Sequence, residues 1–113
     1  MKRSLDAIFR PKSVAVIGAS TRPGTIGRET LHNILLAEFN GKVFPVNPKA
    51  TVIHSIKAYS TILDVPDAVD LAIVIVPKEF VRDVARQCGE KGVKGLVVIS
   101  AGFSETGREG KKR

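Results

Sequence analysis

Four short runs dominated by valine and isoleucine constrain this chain more than any other feature. They are Ser13 to Ile17 (SVAVI), Lys42 to Val46 (KVFPV), Leu71 to Val76 (LAIVIV) and Gly95 to Ile99 (GLVVI). Their hydrophobicity is nearly continuous rather than alternating, the pattern of parallel strands covered on both faces. Their first apolar members, Val14, Val43, Leu71 and Leu96, lie 29, 28 and 25 residues apart, near the ~30 residues of a strand-helix-strand unit. The spacing predicts an α/β fold with a doubly wound parallel sheet.

Two of the connections carry helical periodicity. From Ile26 to Phe39, the residues Ile26, Leu31, Ile34, Leu35 and Phe39 recur on one side, and Asn40-Gly41 is read as a left-handed stop. The second helix opens at Pro77-Lys78-Glu79, places Val81, Val84, Ala85 and Cys88 on one stripe, and closes at Lys91-Gly92. Cys88 is therefore read as a structural, inward thiol. The connection from Asn47 to Asp70 is less regular: a short extended piece near Ile56 to Tyr59, a helical turn around Thr61 to Leu63, and a rise from Pro66 into the third strand. Four strands with two helices leave apolar surface uncovered, so the domain is read as truncated after the fourth strand, or as covered by a partner or a second copy.

At 113 residues the chain suits one domain, read as 13–110 with a lead-in at 1–12 and a basic end at 111–113. The longest apolar run, Leu71 to Val76, is far short of the ~20 residues that cross a bilayer. Met1 to Asp6 does not lead into an apolar stretch of signal-peptide length, and the single Cys88 permits no internal disulfide. Both fit a reducing cytoplasm and no membrane. A net charge of +7 from 18 basic and 11 acidic side chains suggests nucleic acid at first sight. Five of those cations, Lys2, Arg3, Lys111, Lys112 and Arg113, lie at the ends, leaving 13 against 11 between them. With no Trp and one Tyr there is little for bases to stack upon, and the pattern argues against a nucleic-acid partner.

The chemistry is concentrated where strands end. After the first strand comes Gly18-Ala19-Ser20-Thr21-Arg22-Pro23-Gly24-Thr25-Ile26-Gly27. Glycines let a backbone turn sharply and approach a ligand, and a helix start attracts phosphate. The loop departs from the dinucleotide fingerprint, with Ser20 where a second glycine would stand. The second strand ends in Asn47-Pro48-Lys49 instead of the carboxylate that holds an NAD ribose. A cation there suits a phosphorylated ribose, as in NADP or the 3′-phosphate of coenzyme A. The remaining strands end in Val76-Pro77-Lys78 and Ile99-Ser100-Ala101-Gly102, at the edge where open α/β sheets bind ligands.

Taken together, Val16-Ile17-Gly18-Ala19-Ser20, Val46-Asn47-Pro48-Lys49, the run from Asp70 to Pro77 and the run from Ser100 to Gly107 closely resemble the CoA-binding domain of NDP-forming acyl-CoA synthetases. That group includes ADP-forming acetyl-CoA synthetase and the succinyl-CoA synthetase α subunit. The resemblance implies a Rossmann-like fold and coenzyme A or an acyl-CoA as ligand, with the other domains or subunits of a synthetase as partners. It implies that Ser20, Thr21, Arg22 and Pro23 hold phosphates or ribose, Lys49 a phosphate, and Val76, Pro77 and Lys78 with Ile99, Ser100 and Ala101 the pantetheine side and adenine. Gly18, Gly24, Asn47 and Pro48 are expected among the cofactor-binding residues. The family's phosphorylated histidine belongs to a following domain. His32, read as a helix-surface residue, and His54, in the irregular crossover, match no such position. No HExxH, cysteine pair or carboxylate cluster suggests a metal centre or triad. The isolated chain is expected to bind without turnover. Other readings are a nucleotide-sensing module of a redox regulator, or the non-catalytic CoA-binding part of a protein acetyltransferase.

Overall fold

The computed structural model describes residues 10–22, 24–37 and 39–99. The elements follow as β1 (Ser13–Ile17), α1 (Ile26–Leu36), β2 (Lys42–Val46), β3 (Val52–Ile53), β4 (Ile56–Lys57), a 3-10 turn at Ile62–Asp64, β5 (Leu71–Val74), α2 (Lys78–Lys91) and β6 (Gly95–Val98). Four of the strands form a sheet in the order β2-β1-β5-β6, every pairing parallel. The chain steps one way from β1 to β2 and the other way from β5 to β6, so the strand order reverses between β1 and β5. This is the α/β sheet that the spacing predicts.

Each face of the sheet has its own apolar core. Ala15, Ile17, Phe44, Val46, Ala72 and Val74 pack with Cys88 of α2 and with Ile62 and Val65 of the crossover. Val14, Val16 and Leu71 pack on the other face with Leu31 of α1 and with Ile53 and Ala58. A β-strand sends successive side chains to opposite faces, which is why the unbroken run in β1 serves both cores. Burial pushes the Cys88 thiol up from its ordinary pKa, in keeping with a structural role.

Several boundaries differ from the sequence reading, each for a local reason. The run Leu71 to Val76 is strand only to Val74, although the Ile75 N–H still donates to the Ile17 carbonyl at 2.7 Å. The run Gly95 to Ile99 likewise ends at Val98, with the Ile99 N–H reaching the Val74 carbonyl at 2.8 Å. The first helix stops at Leu36 rather than Phe39, because the chain closes on itself: Ala37 donates to the Asn33 carbonyl and Phe39 to that of Ile34. Asn40-Gly41 is not the left-handed stop, since positive φ falls on Gly18, Gly24 and Gly92 among the described glycines. Gly41 serves close approach, as a Cβ there would lie 2.5 Å from the Lys12 carbonyl oxygen. The second helix runs Lys78–Lys91 and ends, as expected, on Gly92 in the left-handed region.

The crossover holds the expected extended piece and helical turn, plus one feature the sequence reading lacks. β3 and β4 pair antiparallel through a two-residue turn in which His54 and Ser55 take φ of 58° and 66°, the dihedral signs of a type I′ hairpin. Tyr59 then bridges to Val46 along the outer side of β2. Among the described strands of the four-stranded sheet, β6 is the least covered: Leu96, Val97 and Ile99 are each 37% exposed and Val98 46%.

Candidate functional site

Register places the strand ends at one level. Ile17 lies opposite Val46 and Val74, and Val74 opposite Val98. The next residues, Gly18, Asn47, Ile75 and Ile99, therefore form a single carboxyl edge. The turn at Gly18 needs its glycine twice over. Its φ is +100°, and a Cβ would sit 1.9 Å from the Ile75 carbonyl oxygen. Gly27, in the first turn of α1, approaches the same place from the other side, with a Cβ position 2.0 Å from the Gly18 carbonyl oxygen. The glycines at the two ends of the loop thus bring β1, α1 and the end of β5 into backbone contact.

Between them the loop is held by its own polar groups. The Ser20 hydroxyl oxygen accepts from the Arg22 N–H at 3.0 Å. Thr25 caps α1: its hydroxyl donates to the Arg22 carbonyl at 2.8 Å and accepts from the Arg28 N–H at 3.3 Å. Arg28 reaches back to donate to the Thr21 carbonyl at 3.0 Å. Gly24, at φ +85°, has nothing within 4 Å of where a side chain would begin, so the outer side of the loop stands open.

Asn47 is a structural joint of this edge. Its amide nitrogen donates to the Ala19 carbonyl at 2.7 Å. Its amide oxygen accepts from the N–H groups of Lys49 at 2.7 Å and Ala50 at 3.2 Å. Its own N–H donates to the Tyr59 carbonyl at 2.8 Å. The side chain joins the loops after β1 and β2 and positions Lys49. Pro48 and Lys49 are exposed on the resulting turn.

On the far side of the switch point, Val76 is half-buried, Pro77 and Lys78 are exposed, and the Pro77 carbonyl accepts from the Phe80 N–H at 2.9 Å as α2 begins. Ile99 lies at the end of β6. Pro23, Ser100 and Ala101 fall outside the described residues. Sequence reasoning missed Thr25, Arg28, Gly27 and Tyr59. Only Thr25 carried a plain local signal, as a hydroxyl residue just before the helical run.

The edge carries exposed cations, with Glu29 and Glu79 also in the first turns of the two helices. Arg22, Lys49 and Lys78 are exposed and belong to none of the ion pairs among the described residues, which join Lys42 to Asp67, Arg86 to Asp83 and Lys94 to Asp70. Arg28 and Lys78 occupy the first turns of α1 and α2, where the helix dipole opposes a cation by about 0.3–1 kcal/mol. Cations set against two helix dipoles at one edge fit an anionic, phosphate-bearing ligand.

A family model described as a CoA binding domain matches residues 12–109. The chain belongs to that family. As a CoA-binding domain it is 49% identical over 113 residues to the α subunit of ADP-forming acetate–CoA ligase I of Pyrococcus furiosus, covering 96% of this chain and 24% of that subunit. It is 52% identical over 103 residues to the ADP-forming acetate–CoA ligase of Methanocaldococcus jannaschii, covering 91% of this chain and 14% of the ligase. Among solved structures it matches the dinucleotide forming acetyl-coenzyme A synthetase 1 of Ca. Korarchaeum cryptofilum, in complex with phosphate and ADP, with a TM-score of 0.85 and 45% identity over 95% of this chain and 23% of that one. The chain therefore spans a quarter or less of the length of these relatives. The residues at the edge fit the ligand that the family name states: exposed cations for phosphates, an open glycine loop, and no carboxylate in Asn47-Pro48-Lys49 to select an NAD ribose.

Proposed function

We propose that this domain, over 13–110, is the coenzyme A-holding part of an NDP-forming acyl-CoA synthetase. The full enzyme would convert acyl-CoA, NDP and phosphate into acid, CoA and NTP, and this chain would bind CoA or acyl-CoA without turning it over. The rest of the synthetase would be its partner and the cytoplasm its location. In this reading Gly18, Ser20, Thr21, Arg22 and Gly24, together with Pro23, surround phosphate or ribose. Lys49 meets a phosphate, and Val76, Pro77, Lys78 and Ile99, with Ser100 and Ala101, line the pantetheine and adenine. Asn47 and Pro48 act by shaping the turn that presents Lys49. No observation on the fold or on these relatives favours a redox-sensing or acetyltransferase role.

The observation that carries the reading is Lys49, an exposed cation fixed on an Asn47 turn at the carboxyl end of β2. Calorimetry should find CoA binding tighter than NAD; the reverse order overturns the reading. Removing a charge-assisted hydrogen bond costs about 1.5–3 kcal/mol, so Lys49→Ala should weaken CoA roughly tenfold to a hundredfold and leave the fold intact. If the contact is to the 3′-phosphate, dephospho-CoA should be nearly indifferent to the substitution. Equal losses for both ligands would move Lys49 to the pyrophosphate.

A further inference from the structure

Two histidines from distant parts of the chain meet. Nδ1 of His32, on α1, lies 3.0 Å from Nε2 of His54, in the β3–β4 turn. The rings stack with centroids 5.1 Å apart and planes 26° from parallel, and both residues are half-buried. His32 is thus not simply a surface histidine, and His54 belongs to a tight turn rather than to irregular chain. The turn holds His54 at φ 58°, a backbone conformation that costs free energy for a residue other than glycine. That fixes the imidazole against α1.

The geometry points to a two-histidine site for a divalent transition-metal ion of borderline softness, Cu(II), Ni(II) or Zn(II). Imidazole suits these ions. With metal–nitrogen bonds of ~2.0–2.1 Å, adjacent ligands lie ~2.9 Å apart in a square plane and ~3.3 Å apart in a tetrahedron. The observed 3.0 Å falls between these values. A pivot of the two partly exposed rings turns both nitrogens toward a common point; the hydrogen shared between them moves to the far nitrogen of the ring that donated it, and the ion takes its place. Neighbouring cations are committed elsewhere: the Arg28 guanidinium, one turn before His32, bonds the Thr21 carbonyl, and the Lys57 ammonium, on β4, lies over the Tyr59 ring. Among the described residues no third histidine, cysteine or carboxylate completes a cluster, so water fills the remaining positions. The ion would clamp the crossover hairpin to α1, the helix that follows the glycine loop.

The test is titration of the purified chain with CuCl2, NiCl2 and ZnCl2 in a non-chelating buffer, beside His32→Asn and His54→Asn. Asparagine tolerates the positive φ at position 54, so both variants should keep the wild-type circular dichroism. One equivalent should bind, with Cu(II) tightest as the ligand set requires, and either variant should lose at least tenfold in affinity. The melting temperature should rise with metal in the wild type alone. Equal affinities in wild type and both variants, or no saturable binding, would overturn the site. Loss in only one variant would reduce it to a single surface histidine and equally reject the chelate. CoA affinity without metal should be unchanged in both variants, which separates this outcome from any failure of the CoA reading.

Discussion

β1 and β6 are both short, valine-rich runs and live in different surroundings. All five positions of β1 are buried, whereas β6 buries only Gly95. β1 lies between β2 and β5 with α1 on one side and α2 on the other; β6 ends the sheet. A Val-rich run therefore announces a strand, while its neighbours decide how much water that strand loses. The free energy from burying apolar surface, about 25 cal/mol per Å2, is largely realised at β1 and only partly at β6.

One charge at matching places should expose that difference. Val16 has no exposed surface, so Val16→Asp buries an unpaired carboxylate and should cost more than about 4 kcal/mol, leaving a chain without a cooperative melt. Val97→Asp, on a residue 37% exposed, should stay folded within about 1 kcal/mol of wild type. It should also lower self-association, which the open β6 face is expected to cause between copies. Sedimentation over a range of concentrations checks this: a wild type that is monomeric throughout would show that the face needs no cover.

Glycines sharpen the contrast at the next scale. Gly18→Ala meets backbone at 1.9 Å as well as a φ of +100° and should cost several kcal/mol, enough to lose most folded protein. Gly24→Ala carries only the positive φ, with open space beyond, and should cost about 1–2 kcal/mol. Chemical denaturation of the two variants measures both. Equal losses would mean that φ, and not the contact with Ile75, governs the turn.

The smallest expected effect belongs to Cys88. Burial raises its pKa, so the native state keeps a proton that the unfolded chain releases near pH ~8.5. Its contribution is whole below that pH and is lost as pH rises through the native value. From about pH 8 to about pH 10, the range that brackets this release, the melting temperature should therefore fall more steeply for wild type than for Cys88→Ala, whatever constant offset the missing sulfur adds.

These cases also mark what was legible in the chain. β1 and β2 could be bounded to the residue because strands packed in the sheet leave unbroken apolar runs. The loop after β1 was recognisable as a tight turn into a helix from its glycines and its place before the helical run. The β3–β4 hairpin was not, because its turn is His54-Ser55, lacking the Asn-Gly chemistry that usually marks such a bend. The Gly18–Gly27 contact and the His32–His54 pair exist only once the chain has folded, and no local pattern encodes them. Asn47 was identified as important but expected to touch the ligand. An Asn before Pro-Lys carries turn chemistry, and the loop-joining bonds of its carboxamide were not foreseen.

That carboxamide also separates two things selection can change. With Asn47 joining the segments after β1 and β2, the main chain at the edge is ordered before any ligand arrives. The entropy lost on binding falls on flexible side chains, about 0.5–1.5 kcal/mol for each one immobilised. On the proposed reading, single exchanges of Arg22, Lys49 or Lys78 would alter which anionic groups are preferred, while the scaffold beneath them keeps its shape. On that reading ligand preference would drift at the cations while the Asn47 carboxamide keeps the loops joined.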